Sequence, residues 1–406
     1  MRLRGMLESA EIDALVVISL ANVRYLTGFT GSAGVLVVTR RRALLTTDGR
    51  YRVQAGEQLE KAGLADVVRL EVGGLQAQRG ALKGLISRSR AKRVGLESDH
   101  VSWSAMTSFS ELLDKVEIVP ARGLVESLRE VKDAGEIELI ARACAIGDAA
   151  LAGVAAMLGE GVTEAQFALE LDATMRRLGA EDRAFETIVA SGENAAKPHA
   201  RPSNRRIRAG APVVVDFGAI FEGYRSDMTR TLFAPKRSGA GKQAHGPGRS
   251  KDRAGEMERV FDVVKRAQEA GVAAVRAGVE AGAVDDACRS LIVAEGYGDA
   301  FEHGTGHGVG LDIHEGPPVG PGSTGILQPG TVITVEPGIY LPGLGGVRIE
   351  DTVVVTEDGC RVLTGFSKEP WPGSTPLGRG TDSAERARPS RRRAGTELPD
   401  SDQRVS

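Results

Sequence analysis

Two stretches of this chain place carboxylates inside runs that otherwise read as apolar strands, and this restricts the fold more than any other feature. In VVVDFGAIFEGYRSDMTRTL (213–232), Asp216 follows three valines. A carboxylate there is costly to bury unless it is paired or bound to a metal. Asp227 comes 11 residues later, across a turn expected at Glu222 and Gly223, so a hairpin would set the two aspartates on neighbouring strands. VITVEPGIYLPGLGGVRIEDTVVV (332–355) repeats the arrangement. Glu336 ends an apolar strand, Glu350 lies 14 residues on inside another, and PGLGG between them is a turn signal. The plain alternative is a set of polar strand-edge residues.

Histidine sharpens the choice. The chain has six: His100, His199, His245, His303, His307 and His314. Three fall in HGTGHGVGLDIH (303–314), where glycines let backbone approach an ion or ligand closely. Core packing alone does not explain such clustering, although a glycine-rich loop with incidental histidines would look similar. Four carboxylates and one imidazole suit two divalent ions bound mainly through oxygen, and manganese, cobalt, iron or zinc all fit that donor set. With so few ligands, two carboxylates must bridge the ions.

The 406 residues are enough for two domains. Residues 12–122 read as a small α/β domain: strands at 16–18, 34–39, 42–46, 94–97 and 117–119, helices at 49–61 and 75–87. The stretch 124–144 reads as a charged helical connection. A second domain then opens with helices at 134–158 and 163–178, the latter with a capping box from Thr163 to Gln166. From 185 onward strands and hairpins dominate, with helices at 257–277 and 284–295. The expected divisions are 1–122, 123–368 and a polar tail at 369–406, which includes an arginine run at 391–393. Residues 235–256 and the tail are too poor in apolar groups to offset their ordering entropy, and both are expected to be disordered.

A net charge of −2 supplies no field for nucleic acid or an anionic membrane, and 4% aromatics argues against base stacking. No window is expected to reach the roughly 20 apolar residues that span a bilayer. Cys144, Cys288 and Cys360 form no CxxC, which fits a reducing compartment and excludes a thiolate zinc site. With no signal-peptide layout at the N-terminus, a cytoplasmic location is the expectation.

DFGAIFEGYRSDMTRT, HGTGHGVGLDIHE and VEPGIYLPGLGGVRIED, in this order, resemble the proline-specific branch of the pita-bread metallopeptidases, the aminopeptidase P and prolidase enzymes. NVRYLTGFTGSAG (22–34) and TDGRY (47–51) resemble their creatinase-type N-terminal domain. The likeness spans about residues 10–366. It implies an α/β N-terminal domain followed by an α+β pita-bread catalytic domain. It implies metal ligands at Asp216, Asp227, His307, Glu336 and Glu350, with Asp227 and Glu350 bridging two divalent ions, manganese first. His199, in PHARPSN, and His303 and His314 match substrate-side histidines. The resemblance further implies Xaa-Pro peptides as substrates and a homodimer. The longer, more basic 235–256 loop and the C-terminal tail depart from the family pattern without touching the ligand set.

The chemistry expected of such a site is hydrolysis. Two divalent ions about 3.5–4 Å apart can share a hydroxide that attacks the scissile carbonyl. Glu336 is the candidate proton shuttle, His199 and His314 are expected to hold the substrate or its tetrahedral intermediate, and His303 to orient the prolyl side. Arg348, two residues before Glu350, shares its strand face and would steady a carboxylate or the substrate, unless it is a plain surface arginine. The competing readings are a creatinase-like amidinohydrolase, a methionine aminopeptidase and an inactive pita-bread binding module. Retention of all five ligand types disfavours the first and last, and the long N-terminal region disfavours the second.

Overall fold

A computed structural model describes residues 2–235 and 249–370, with side chains described from 255 in the second stretch. The N-terminal region is a six-stranded sheet. Its order is Val68–Val72, Ala43–Thr47, Val35–Thr39, Ala14–Val17, Arg93–Glu97 and Glu117–Ala121. Alternation along the strands feeds two separate cores. Leu15, Val17, Leu36 and Leu45 pack on one face, whereas Ala14, Val16, Val37 and Leu44 pack on the other beneath Leu82, Leu85 and Ile86.

The helices Arg2–Ser9, Leu20–Thr27 and Trp103–Leu112 and the strand Val68–Val72 add to the elements expected from the sequence. The Leu20–Thr27 helix has local signals: Ser19 accepts from the Asn22 backbone N–H, and Gly28, at φ 74°, closes it in the left-handed region. The stretch 124–144 is not one continuous helix. It breaks between Glu126–Glu130 and Ala134–Val154, where Val131 bridges Thr331 and the Lys132 N–H donates to the Gly330 carbonyl. Asp133 and Glu136 then form a capping box that restarts the helix; the Thr163–Gln166 box is present as expected.

The C-terminal half is built from two similar layers. The helices Ala134–Val154 and Glu164–Arg177 cover strands Pro212–Phe217 and Met228–Phe233 through a core that includes Phe167, Leu171, Val215 and Phe217. The helices Arg249–Ala274 and Ala281–Ala294 cover strands Val332–Val335 and Asp351–Val355 through Val264, Ile292, Ile333 and Val353. Hydrogen bonds join the layers, three of them through backbone groups at or near the acidic residues. The Glu350 N–H donates to the Thr229 carbonyl at 3.1 Å, the Thr231 hydroxyl to the Arg348 carbonyl at 2.8 Å, and the Thr352 hydroxyl to the Asp227 carbonyl at 2.8 Å.

Three expectations change. The segment Ala134–Gly159 is long and apolar enough to cross a membrane by length and composition, contrary to the sequence reading; half of its apolar window is buried in the domain, with Ile140, Ile146 and Leu151 in the cores. Residues 249–256, expected in the disordered loop, begin the Arg249–Ala274 helix, and residues 236–248 lie outside the described residues. The tail is tied down at its start: the Phe233 N–H donates to the Pro370 carbonyl at 2.7 Å and Lys265 pairs with Glu369 at 2.8 Å. Residues 371–406, with the arginine run at 391–393, lie outside the described residues.

Candidate metal centre

Both carboxylate hairpins form as expected. Pro212–Phe217 pairs antiparallel with Met228–Phe233, placing Asp216 opposite Thr229 and Asp227 just ahead of the second strand. The turn falls at Glu222 and Gly223, both at positive φ. Val335 pairs with Asp351, which brings Glu336 and Glu350 together at the adjoining ends of their strands. His307 sits in the strand Gly306–Gly308, beside Val332–Val335. Its glycine neighbours are sterically required: a Cβ on Gly306 would meet the Thr334 carbonyl oxygen at 2.1 Å, and one on Gly308 the Gly316 carbonyl oxygen at 2.1 Å.

All five expected ligands converge. Asp227, His307 and Glu350 offer donor atoms within 4.8 Å of one another. His307 Nε2 lies 3.4 Å from Glu336 Oε1 and 3.7 Å from Asp227 Oδ2. Asp216 joins through Arg348, whose Nη2 donates to its Oδ2 at 2.6 Å and whose Nε lies 4.0 Å from Glu336 Oε2. Burial first, and then Glu350, Asp216 and Glu336 in turn, push the Asp227 carboxyl well above its usual range. Burial and the neighbouring Glu336 and Asp216 do the same to Glu350. Burial pushes Glu336 up to about 8 against the opposing pull of Arg348.

The donor set fits divalent cations. His307 Nδ1 lies 3.0 Å from the Gly308 carbonyl, which can only accept, so Nδ1 carries the proton. Burial holds this ring's pKa down to about 4, so at neutral pH Nε2 presents a bare lone pair to two carboxylates. Asp216 Oδ1 and Glu350 Oε1 are buried with no hydrogen-bond partner. A lone pair facing carboxylates, with orphaned carboxylate oxygens beside it, is repulsive unless a proton or cation stands among them.

Around the ligands the surface-arginine reading of Arg348 fails: its side chain is 3% exposed. It donates to Thr229 Oγ1 at 3.1 Å, the Pro198 carbonyl at 3.2 Å and the Tyr340 hydroxyl at 2.7 Å, as well as to Asp216. This geometry steadies a carboxylate; with the guanidinium enclosed by protein acceptors, it does not present Arg348 to substrate. His303 is also committed. Its Nδ1 donates to the Gly304 carbonyl at 2.7 Å, and burial holds its pKa down to about 4, so Nε2 accepts from the Tyr340 hydroxyl at 2.9 Å. Both its nitrogens are used within the protein, so it reaches a substrate through ring carbons or through Tyr340, not as a free donor.

His314 is exposed and packs edge-on to His307, ring centroids 4.3 Å apart. His199 is exposed beside Pro198, whose carbonyl receives Arg348. Both sit on the open rim. Sequence reading missed Tyr340, Thr229 and Thr334. Thr229 donates to Glu350 Oε2 at 2.7 Å, and Thr334 lies 3.3 Å from Glu336 Oε1. Each threonine lies two positions from a candidate ligand, Asp227 or Glu336, a period-2 signal present in the sequence.

Comparison with known proteins agrees with this geometry. Residues 138–357 match the model described as metallopeptidase family M24, and residues 1–131 the creatinase/prolidase N-terminal domain. An uncharacterized peptidase of Bacillus subtilis is 38% identical over 368 residues, covering 91% of this chain and 98% of that protein. The solved Xaa-Pro dipeptidase from Bacillus anthracis superposes with a TM-score of 0.82 at 36% identity, covering 91% of this chain and 98% of that one. The X-Pro aminopeptidase from Thermotoga maritima gives 0.77 at 35% identity, over 88% of this chain and 97% of that one.

Proposed function

The chain belongs to metallopeptidase family M24, and from that premise we propose that it hydrolyses the bond between an N-terminal residue and proline, in dipeptides or longer peptides. The observation that carries the hydrolytic reading is the convergence of Asp216, Asp227, His307, Glu336 and Glu350 with buried carboxylate oxygens left unpartnered. The proline preference is supported by the relatives named Xaa-Pro dipeptidase and X-Pro aminopeptidase.

Two divalent ions, manganese first, would be held by these five side chains and would supply Lewis acidity and an activated water. Glu336 moves the proton. Burial pushes its carboxyl up to about 8 in the bare site, so it can take a proton and return it to the leaving nitrogen. Arg348 holds Asp216 and lies near Glu336, fixing both against their mutual repulsion. Thr229 orients Glu350, and the Gly308 carbonyl fixes His307 in the tautomer whose Nε2 faces the ligands. His314 and His199 are the rim donors available to the substrate carbonyl. An Xaa-Pro bond offers no N–H and a fixed φ, so these donors must recognise carbonyl and ring rather than an amide proton. The working form proposed is a cytoplasmic homodimer, which sedimentation of the purified chain tests.

The deciding assay compares an Xaa-Pro dipeptide with an Xaa-Pro-Yaa-Zaa peptide on protein stripped by chelator and resupplied with manganese. Cleavage of the dipeptide alone assigns a dipeptidase, and cleavage of the longer peptide an aminopeptidase. No cleavage of either with manganese, cobalt, zinc or iron sinks the proposal.

A further inference from the structure

A buried ionic cluster lies at the joint of the two domains, away from the metal ligands but touching the segment that carries His314. Arg129 and Lys132, in the connection between the domains, have side chains only 3% and 1% exposed, and both pair with Glu315, itself 4% exposed. Arg129 Nη2 also donates to Asp312 Oδ2 at 2.7 Å, and the Asp312 N–H donates to Glu315 Oε1 at 2.9 Å. The residues on both sides of His314 are therefore held by one guanidinium. The segment is tight: a Cβ on Gly310 would meet the Glu315 carboxylate at 2.7 Å.

The other arm of Arg129 points into the N-terminal domain. Its Nη1 donates to Asn22 Oδ1 at 2.6 Å, and Asn22 Nδ2 donates to Glu97 at 2.6 Å and Glu126 at 2.5 Å. Glu97 in turn accepts from the backbone N–H groups of Ile18 and Ser19, at the end of a central strand. A plain structural pair would need no such relay. Buried ion pairs add little net stability over an apolar core, whereas they fix one geometry strongly once formed.

We propose that Arg129 is a positioning residue: by pinning Asp312 and Glu315 it sets the His314 ring against His307 and ties the substrate rim to the N-terminal domain through Asn22. The proposal rests on the Xaa-Pro reading only for its choice of substrate.

The test uses the full-length, manganese-loaded protein with Arg129→Gln, Arg129→Lys, Asn22→Ala and His314→Ala, and with Arg129→Gln or Arg129→Lys combined with His314→Ala. Hydrogen exchange over 309–316 and KM and kcat on an Xaa-Pro peptide are measured. Arg129→Gln should speed exchange over 309–316 and raise KM about tenfold, the scale of losing hydrogen bonds to a charged group, with kcat and metal content little changed. Arg129→Lys should recover part of both effects. On a His314→Ala background the Arg129 substitution should add no further rise in KM. Native exchange over 309–316 in the Arg129 variants, or KM effects that multiply in full with His314→Ala, would overturn the proposal. Should Arg129→Gln fail to fold, Arg129→Lys and Asn22→Ala, which leave a cation at the joint, carry the same comparison. If the unsubstituted protein cleaves no Xaa-Pro peptide, the functional reading fails, and exchange over 309–316 still decides the positioning role.

Discussion

Glu350 and Asp351 are consecutive residues, both acidic and both at most 1% exposed, yet they stand in opposite electrostatic situations. Glu350 turns toward the other candidate ligands. One of its oxygens has only Thr229, the other nothing, and its carboxyl is pushed well above the usual range by burial and by Glu336 and Asp216. Asp351 turns the other way. Arg230 and Thr364 serve one oxygen at 2.8 Å each, and Gln268 at 3.0 Å and Lys368 at 2.5 Å serve the other. Burial raises its pKa, but Arg230 and Lys368 outweigh that and hold it below the usual range. Neither residue type nor depth separates a candidate ligand from a structural anion here. What separates them is whether the protein satisfies the carboxylate, and strand alternation decides which side each one faces.

The sharpest way to break this comparison is to neutralise each in turn. Glu350→Gln should abolish metal retention and peptide hydrolysis while leaving the melting temperature of the stripped protein unchanged or higher, because an unsatisfied buried charge is removed. Asp351→Asn should do the reverse, costing on the order of 3–5 kcal/mol in denaturant unfolding by stranding Arg230 and Lys368, while the folded fraction keeps its metal. If the two variants behaved alike, satisfaction would not be the distinguishing property.

Arg348→Met tests the border between the two situations, since this residue satisfies Asp216 from within the metal centre. It should lower manganese affinity about 10–100-fold, the usual effect of losing a partner of a metal ligand, as measured by calorimetric titration.

pH gives the two carboxylate groups opposite signs. In stripped protein Asp227, Glu350 and Glu336 have raised values, Glu336 about 8. The folded state then binds protons that the unfolded chain releases, so this stability is full below the ordinary carboxylate value and is lost as pH rises through the raised folded values, about 8 for Glu336. Asp351 is depressed, so its contribution is full above the ordinary value and is lost as pH falls through its lower folded value. The melting temperature of stripped protein should fall between about pH 5 and pH 8.5, and saturating manganese should flatten that slope. An equal slope with and without manganese would contradict the assignment of these three as ligands.

The smallest effect is expected at Tyr340→Phe, which removes the hydroxyl between Arg348 and His303. Loss of about 1 kcal/mol, or roughly fivefold in kcat/KM, is the scale of one such hydrogen bond.

The candidate ligands stood out in the sequence because a carboxylate interrupting an apolar strand is conspicuous. Thr229 and Thr334 carried only a faint sign, their two-residue spacing from Asp227 and Glu336, and Tyr340 carried none, because tyrosine and threonine are ordinary strand formers. Asp351 was equally silent: in RIED nothing local shows that its partners are Arg230, 121 residues away, and Gln268, 83 residues away. Arg129 and Glu315, 186 residues apart, form a pair that no window on the sequence contains. In the fold, the strands with clear alternation and the longer helices of the second domain were readable from their period. The eight-residue helices Arg2–Ser9 and Leu20–Thr27 were not, because two turns show too little periodicity, even where Ser19 and Gly28 cap the second.

The central claim, a two-ion centre that powers peptide hydrolysis, is tested most directly by titrating manganese into chelator-stripped protein while following both bound metal and cleavage of Xaa-Pro peptides. Two ions bound per chain, with hydrolysis rising as they bind and neither occurring in Glu350→Gln, is the predicted result. Full hydrolysis by stripped protein, or metal binding that Glu350→Gln leaves intact, would contradict it.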